Sequence, residues 1–169
     1  MKTYEIAPEE VQDKIAALME AYHPKLIEAG VTIHALYARN GAGHAIMCGG
    51  YPALAVVRVV GLKDRVKGMK DAEIVIDAER YEELTDGQKD GLLDHELFHL
   101  ETISEPESGG IKKDDCGRPR LVLRKHDVQI GWFREIAVRH GKNSPEQVQA
   151  KELMEKDGQY FFPFLELAA

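Results

Sequence analysis

Cysteine is scarce. Cys48 and Cys116 are far apart and show no C-x-x-C spacing, which argues against a disulfide framework and against a cysteine zinc ribbon. Both read as reduced thiols. Long apolar runs are missing as well. The longest, Ala53 to Val60, is broken by Arg58 and falls well short of the roughly 20 residues a membrane-spanning helix needs. Met1 to Ile6 holds no apolar segment of the kind a secretory leader carries. The expectation is a soluble, cytoplasmic protein with no membrane partner. Positive charge is in deficit, with 22 Lys and Arg against 29 Asp and Glu and a formal net charge of −7. Nucleic acid is therefore not the expected partner, because sequence-independent binding draws on clustered cations. Asn40-Gly41-Ala42-Gly43 lacks the G-x-G-x-x-G spacing and opens no helix, so a phosphate loop is not expected either. No internal repeat is present.

The 169 residues suit one domain that folds without covalent staples. Val11, Ile15, Leu18, Met19, Tyr22, Leu26 and Ile27 recur at helical spacing from Pro8 to about Ala29, with Pro24 placed to kink or split the helix and Gly30 to end it. Val31 to Tyr37 alternates as a strand does. Ala53 to Val60 is β-branched and apolar on both faces, which predicts a central strand. Gly61 to Asp71 is a charged turn, and Glu73 to Asp77 is a third short strand. Thr85 and Gln88 form a capping box for a helix over Asp86 to Ser104, stopped by Pro106. Residues 105–119 read as a surface loop or loose hairpin, with Arg120 to Leu123 returning as a short strand. Asp127 is placed to cap a helix from Val128 to His140, closed by Gly141. Ser144-Pro145-Glu146-Gln147 opens a last helix to about Lys156. The aromatic tail Gln159 to Leu167 is expected to pack on the domain. The pattern predicts one α+β domain over residues 1–169, a small mostly antiparallel or mixed sheet packed on the Asp86 helix with helices flanking it.

That helix contains His95-Glu96-Leu97-Phe98-His99, an H-E-x-x-H pattern. At about 100° per residue, His95 and His99 lie one turn apart on one face, with Glu96 at its flank. Leu93, Leu97 and Leu100 form a second stripe that can bury against a sheet. Zinc in a catalytic site takes three protein ligands and keeps a fourth position for water, so a third ligand is needed. His126 stands at a helix entrance that can aim its ring and is the first choice. Glu135 in the following helix is the main carboxylate alternative, and Asp114 and Asp115 sit in a looser loop. His23 reads as a helix-surface residue beside Pro24, His34 as a strand-face side chain and His44 as part of a turn.

Leu92-Leu93-Asp94-His95-Glu96-Leu97-Phe98-His99, then Lys125-His126-Asp127-Val128, and a helix closing on Arg139-His140-Gly141 together resemble the family of putative phage metallopeptidases, small zincin-like proteins encoded by phages and prophages. The likeness covers residues 30–141. It implies a minimal zincin-like metalloprotease fold, Zn2+ held by His95, His99 and His126, Glu96 as catalytic acid and base, a peptide or protein substrate, and the host cytoplasm as setting. The chain departs from the family pattern after Val128, where Gln129, Ile130 and Gly131 stand in place of acidic residues before Trp132 and Phe133. A more distant similarity to SprT-like proteases lacks their cysteine-rich ribbon, and no DNA-repair role is carried over.

The expected reaction is peptide hydrolysis, with Glu96 taking a proton from zinc-activated water and delivering it to the leaving amine. Glu73 to Asp77 is the expected sheet edge, to which an extended substrate would add as a strand. Arg124, Lys125, Tyr81 and His140 are all candidates to stabilise the tetrahedral oxyanion. Two rivals stand beside this reading. Lys112, Lys113, Arg118, Arg120, Arg124 and Lys125 form a local basic cluster that would suit a non-peptidase hydrolase. A phage protein that binds a host factor could use zinc only to hold its fold, although such a protein has no need of Glu96.

Overall fold

The computed structural model describes residues 1–126, 134–145, 147–148 and 150–151. The chain forms two compact units, Met1–Lys125 and His126–Ala169. In the first unit, strand β1 (Lys2–Ile6) precedes helix α1 (Glu9–Tyr22), which buries Val11, Ile15 and Met19 at four-residue steps. Pro24 splits the helix, because its ring lacks an N–H and opens α2 (Pro24–Glu28) at the first position. Gly30, at φ 68°, ends that pair in a conformation glycine adopts freely.

Strand β2 (Ile33–Asn40) follows, then a hairpin of β3 (Met47–Cys48) and β4 (Tyr51–Pro52), then β5 (Ala55–Val59). A short helix α3 (Leu62–Val66) leads to β6 (Ala72–Asp77), and α4 (Ala78–Glu82) leads to α5 (Asp86–Phe98). Strands β7 (Leu100–Thr102) and β8 (Leu121–Leu123) close the unit as an antiparallel pair. The main sheet has the order β1-β2-β6-β5, antiparallel at both flanks and parallel between β2 and β6. The chain is thus α+β with a mixed sheet.

One face of this sheet, through Ala35, Tyr37, Val57, Ile74 and Ile76, packs on Val11 and Ile15 of α1 and on Leu93 and Leu97 of α5. Leu93 and Leu97 are wholly buried, each stabilising the pairing by about 1.5–3 kcal/mol. The other face, at Ala38 and Val75, is covered by Ala45 and Ile46, with Val56 against them. That second layer explains one correction. Ala55–Val59 was expected to be central because it is apolar on both faces, yet β5 is an edge strand. Its two faces are covered by α5 and by the segment before β3, which two-sided burial alone does not distinguish from a central position.

The converse correction concerns the strand expected at the edge. β6 lies inside the sheet with all six residues buried. Its two acids disguise it: Glu73 accepts from Arg58 at 2.8 Å, and Asp77 accepts the Ala45 N–H at 2.9 Å. The capping box is present, with Gln88 N–H donating to Thr85 Oγ1 at 3.4 Å and Thr85 N–H to Gln88 Oε1 at 2.9 Å. The helix it opens ends at Phe98 rather than Ser104. Pairing of Leu100–Thr102 with Leu121–Leu123 takes the chain out of helix, a tertiary demand that local propensity does not announce.

Residues 104–119 form the loose hairpin expected, with single bridges at Ser104–Ile111 and Lys113–Pro119. A buried charge network anchors it. Arg65 donates to Asp114 Oδ2 at 2.9 Å, to the Pro119 carbonyl at 2.9 Å and to the Val60 carbonyl at 2.9 Å. Arg118 Nε lies 2.9 Å from Asp71 Oδ1, and Thr32 N–H and Oγ1 both donate to Asp71 Oδ2 at 2.7 Å. Burial pushes the Asp114 carboxyl up, but the N–H groups of Arg118 and Cys116, joined by Arg65, outweigh it and hold Asp114 below the usual range.

In the second unit, α6 (Arg134–His140) ends in a tight turn, Gly141–Asn143. Ser144 Oγ then accepts the Gln147 N–H at 3.2 Å, capping the helical residues from Pro145 to Lys151 that are described. Asp127, the first part of the helix expected from Val128, and the tail Gln159 to Leu167 lie outside the described residues. Among the described residues no helix is long and apolar enough to cross a membrane.

Candidate metal centre

Burial of Leu93 and Leu97 fixes the rotation of α5 and turns His95, Glu96 and His99 toward the helix edge. The His95 and His99 rings stand edge to face, with centroids 4.9 Å apart. Beyond His99 the chain runs out along β7 and returns along β8, so that Leu123 pairs with Leu100. One step further, Arg124 meets His99: its N–H donates to the His99 carbonyl at 2.7 Å, and its own carbonyl accepts from His99 Nδ1 at 2.7 Å. A carbonyl can only accept, so Nδ1 carries the proton and Nε2 keeps its lone pair. A ligating histidine is ordinarily oriented by such a bond.

His126 is two residues past Arg124, a reach of at most about 7 Å. One ligand atom from each of His95, His99 and His126 lies within 4.8 Å of the others. Two nitrogens of a tetrahedral zinc site, each about 2.1 Å from the ion, are about 3.4 Å apart. Three imidazoles, one of them with its tautomer already set, are a donor set that fits a transition metal such as zinc.

Glu96 is only 5 % exposed. Burial pushes its carboxyl above the ordinary range, while His99 and the backbone N–H of Val57 on β5 pull the other way. A carboxyl of raised proton affinity thus stands between the two helix histidines and the edge strand of the sheet.

The remaining candidates divide cleanly. Asp114 is engaged with Arg65 and the turn that follows it, and Asp115 is exposed outside the histidine cluster. The Glu135 side chain lies outside what is described. Tyr81 is buried against Tyr37, and its ring lies 5.5 Å from Lys89 Nζ. Lys89 precedes His95 by six residues, about 9 Å along the helix, so Tyr81 belongs to the other half of α5. Arg124 lies over the Phe98 ring at 4.5 Å, Lys125 is exposed, and His140 belongs to the second unit. Within the basic cluster, Arg118 is occupied by Asp71, the Met69 carbonyl and Thr32. His23 is buried rather than on a helix surface. The Arg124 carbonyl as the partner of His99 and the Val57 N–H beside Glu96 had no signal in the sequence, since both depend on which strands return to α5.

No curated protein and no solved structure matches this chain. Residues 2–156 match the model of the family described as putative phage metallopeptidase, a name that implies a metal and a peptide or protein substrate, and the chain belongs to that family.

Proposed function

We propose that this chain is a zinc-dependent peptidase in which His95, His99 and His126 hold the ion and Glu96 is the general base. The observation that carries the reading is the convergence of three ring nitrogens within 4.8 Å beside a carboxyl that burial has made more basic. When bound, zinc supplies a coordinated water of pKa near 7 and polarises the substrate carbonyl. Glu96 takes the proton of the attacking water and passes it to the leaving amine nitrogen. Its raised proton affinity serves both transfers, because a general base works best when its pKa approaches the working pH. The Arg124 carbonyl holds His99 Nδ1, which would leave Nε2 as the nitrogen to hold the ion.

A peptide is the substrate this architecture suits. β5 is an edge strand, and its Val57 N–H reaches toward Glu96. An extended peptide adding along β5 would gain main-chain hydrogen bonds with little demand on its sequence. The rival in which zinc only holds the fold leaves Glu96 without a purpose, since a buried carboxylate with no task is a cost to stability.

Elemental analysis of the wild type and of His126→Ala, prepared side by side, tests the ligand set. One zinc per chain in the wild type, lost or loosened in the variant, is the expected result. A metal-replete wild type without zinc removes the peptidase reading in favour of a binding protein, and unchanged zinc in His126→Ala removes His126 as a ligand.

A further inference from the structure

His23 stands at the break between α1 and α2. Its N–H donates to the Met19 carbonyl at 2.9 Å, and its own carbonyl accepts from Leu26 at 3.0 Å. The backbone is therefore held from both sides, and the imidazole, 8 % exposed, is delivered to α5. It makes two contacts there. Nε2 lies 2.6 Å from Asp94 Oδ1, and the ring meets Phe98 edge to face with centroids 6.2 Å apart. Asp94 and Phe98 are four residues apart, so they form one row along the helix. Each immediately precedes one of the two metal-site histidines, so the row His23 grips runs beside the row of His95 and His99.

Phe98 is in turn covered by the Arg124 guanidinium at 4.5 Å, and the Arg124 backbone is tied to His99 in both directions at 2.7 Å. The last turn of α5 is thus held by the α1–α2 junction through Asp94 and Phe98, and by the end of β8 through Phe98 and His99. Rotation of that turn by even a fraction of a residue would carry His95 and His99 away from a common ion. The apolar stripe of Leu93 and Leu97 opposes gross rotation, but a hydrogen bond defines an angle more sharply than a packed methyl group does.

We infer that His23 is a positioning residue for the metal centre, acting through Asp94 and Phe98 to set the azimuth of the α5 turn that carries His95 and His99. It is not itself a ligand, because the group of nitrogens that converges contains His95, His99 and His126 and not His23. Pro24 belongs to the same device: by stopping α1 it places His23 at a break where its ring can turn toward α5.

The inference rests on the reading of His95 and His99 as ligands for one of its two tests and is independent of it for the other. The first measures Zn2+ affinity of the full-length chain by competition with a chelating dye, for wild type, His23→Ala, Asp94→Ala, the double variant and His23→Gln. Each single alanine should weaken zinc about tenfold, the lower end of what outer partners of ligating histidines contribute. The double variant should be no weaker than either single, because both remove one interaction. His23→Gln, which keeps a side-chain N–H near Asp94, should recover most of the loss. The second measures amide hydrogen exchange in the metal-free chain. His95 to His99 should exchange faster in His23→Ala, while the centre of α1 stays protected.

Zinc affinity within twofold of wild type in His23→Ala, or losses that multiply in the double variant, would overturn the inference, as would unchanged exchange at His95 to His99. If the wild type binds no zinc, the proposed function fails, and the exchange result alone then decides for or against His23. Should His23→Ala not fold, His23→Gln and Asp94→Asn carry the same two tests.

Discussion

The hairpin between β7 and β8 runs between two clusters of polar side chains, and they differ in kind. At its tip, Arg118 and Asp114 join Arg65 and Asp71, a set of two cations and two anions in which the arginines donate to carboxylates, carbonyls and the Thr32 hydroxyl. At its base, His99 and Arg124 lead to three ring nitrogens of the same kind converging within 4.8 Å beside a carboxyl raised by burial. Opposite charges that pair with one another are architecture: they fix the hairpin. Ring nitrogens of one kind gathered this closely are the donor set that a transition metal could take. Buried polarity alone does not mark a functional site. The distinguishing feature is whether the cluster is complementary within itself.

The sharpest way to break this contrast is to change one side chain at each end. Glu96→Gln replaces a carboxylate by an amide of the same shape that cannot take a proton. Peptide hydrolysis should fall by about a hundredfold to ten-thousandfold, the usual share of a general base, with zinc content and folding unchanged. Turnover within a few-fold of wild type would remove Glu96 from the chemistry. Arg65→Met does the opposite. It removes the buried cation shared by buried Asp71 and half-buried Asp114, which should cost about 3–5 kcal/mol in chemical denaturation, while the molecules still folded bind zinc as before. A loss below about 1 kcal/mol, where exposed ion pairs fall, would show that the tip cluster is not the anchor described here.

How much of this was legible in the sequence follows the same division. The capping box that opens α5, the split at Pro24 and the loose hairpin are local signals, and each has its expected place in the structure, while the three expected histidines come within reach of one another. What was not legible depends on partners distant in sequence. β6 was expected at an edge because Glu73 and Asp77 look exposed, and only Arg58 and the Ala45 N–H, on other elements, make their burial possible. β5 was expected at the centre because its second covering layer, Ala45 and Ile46, is an irregular segment with no periodicity to reveal it. β1 was not anticipated at all, because all five of its residues are exposed and no buried face patterns them. The tip cluster likewise joins residues 32, 65, 71, 114 and 118, which no spacing rule connects. The candidate site was readable because a helix places His95 and His99 by a fixed angle, whereas its orienting contacts, His23 and the Arg124 carbonyl, required the fold.

The finest test of the contrast is Asp114→Asn, in which the tip loses one charge and almost no shape. The asparagine Oδ1 can still accept the N–H groups of Cys116 and Arg118, which Asp114 Oδ1 meets at 2.9 and 3.0 Å, so what is lost is the charge and the Arg65 hydrogen bond to Oδ2, whose place an amide donor takes. The effect should therefore be smaller than that of Arg65→Met, and it should depend on pH with a definite sign. Asp114 is held below its ordinary value in the folded chain, so near that value the unfolded chain binds more protons than the folded one. The stabilisation it brings is present above about pH 4, the ordinary carboxylate range, and is lost as pH falls through the lower folded value. Urea denaturation of the metal-free chain at a series of pH values should show wild type above the variant at neutral pH, and the gap closing in acid. A gap that persists unchanged in acid would mean that Asp114 acts through shape rather than charge. The tip would then owe its rigidity to the turn, and the contrast between the two clusters would rest on Asp71 and its two arginines alone.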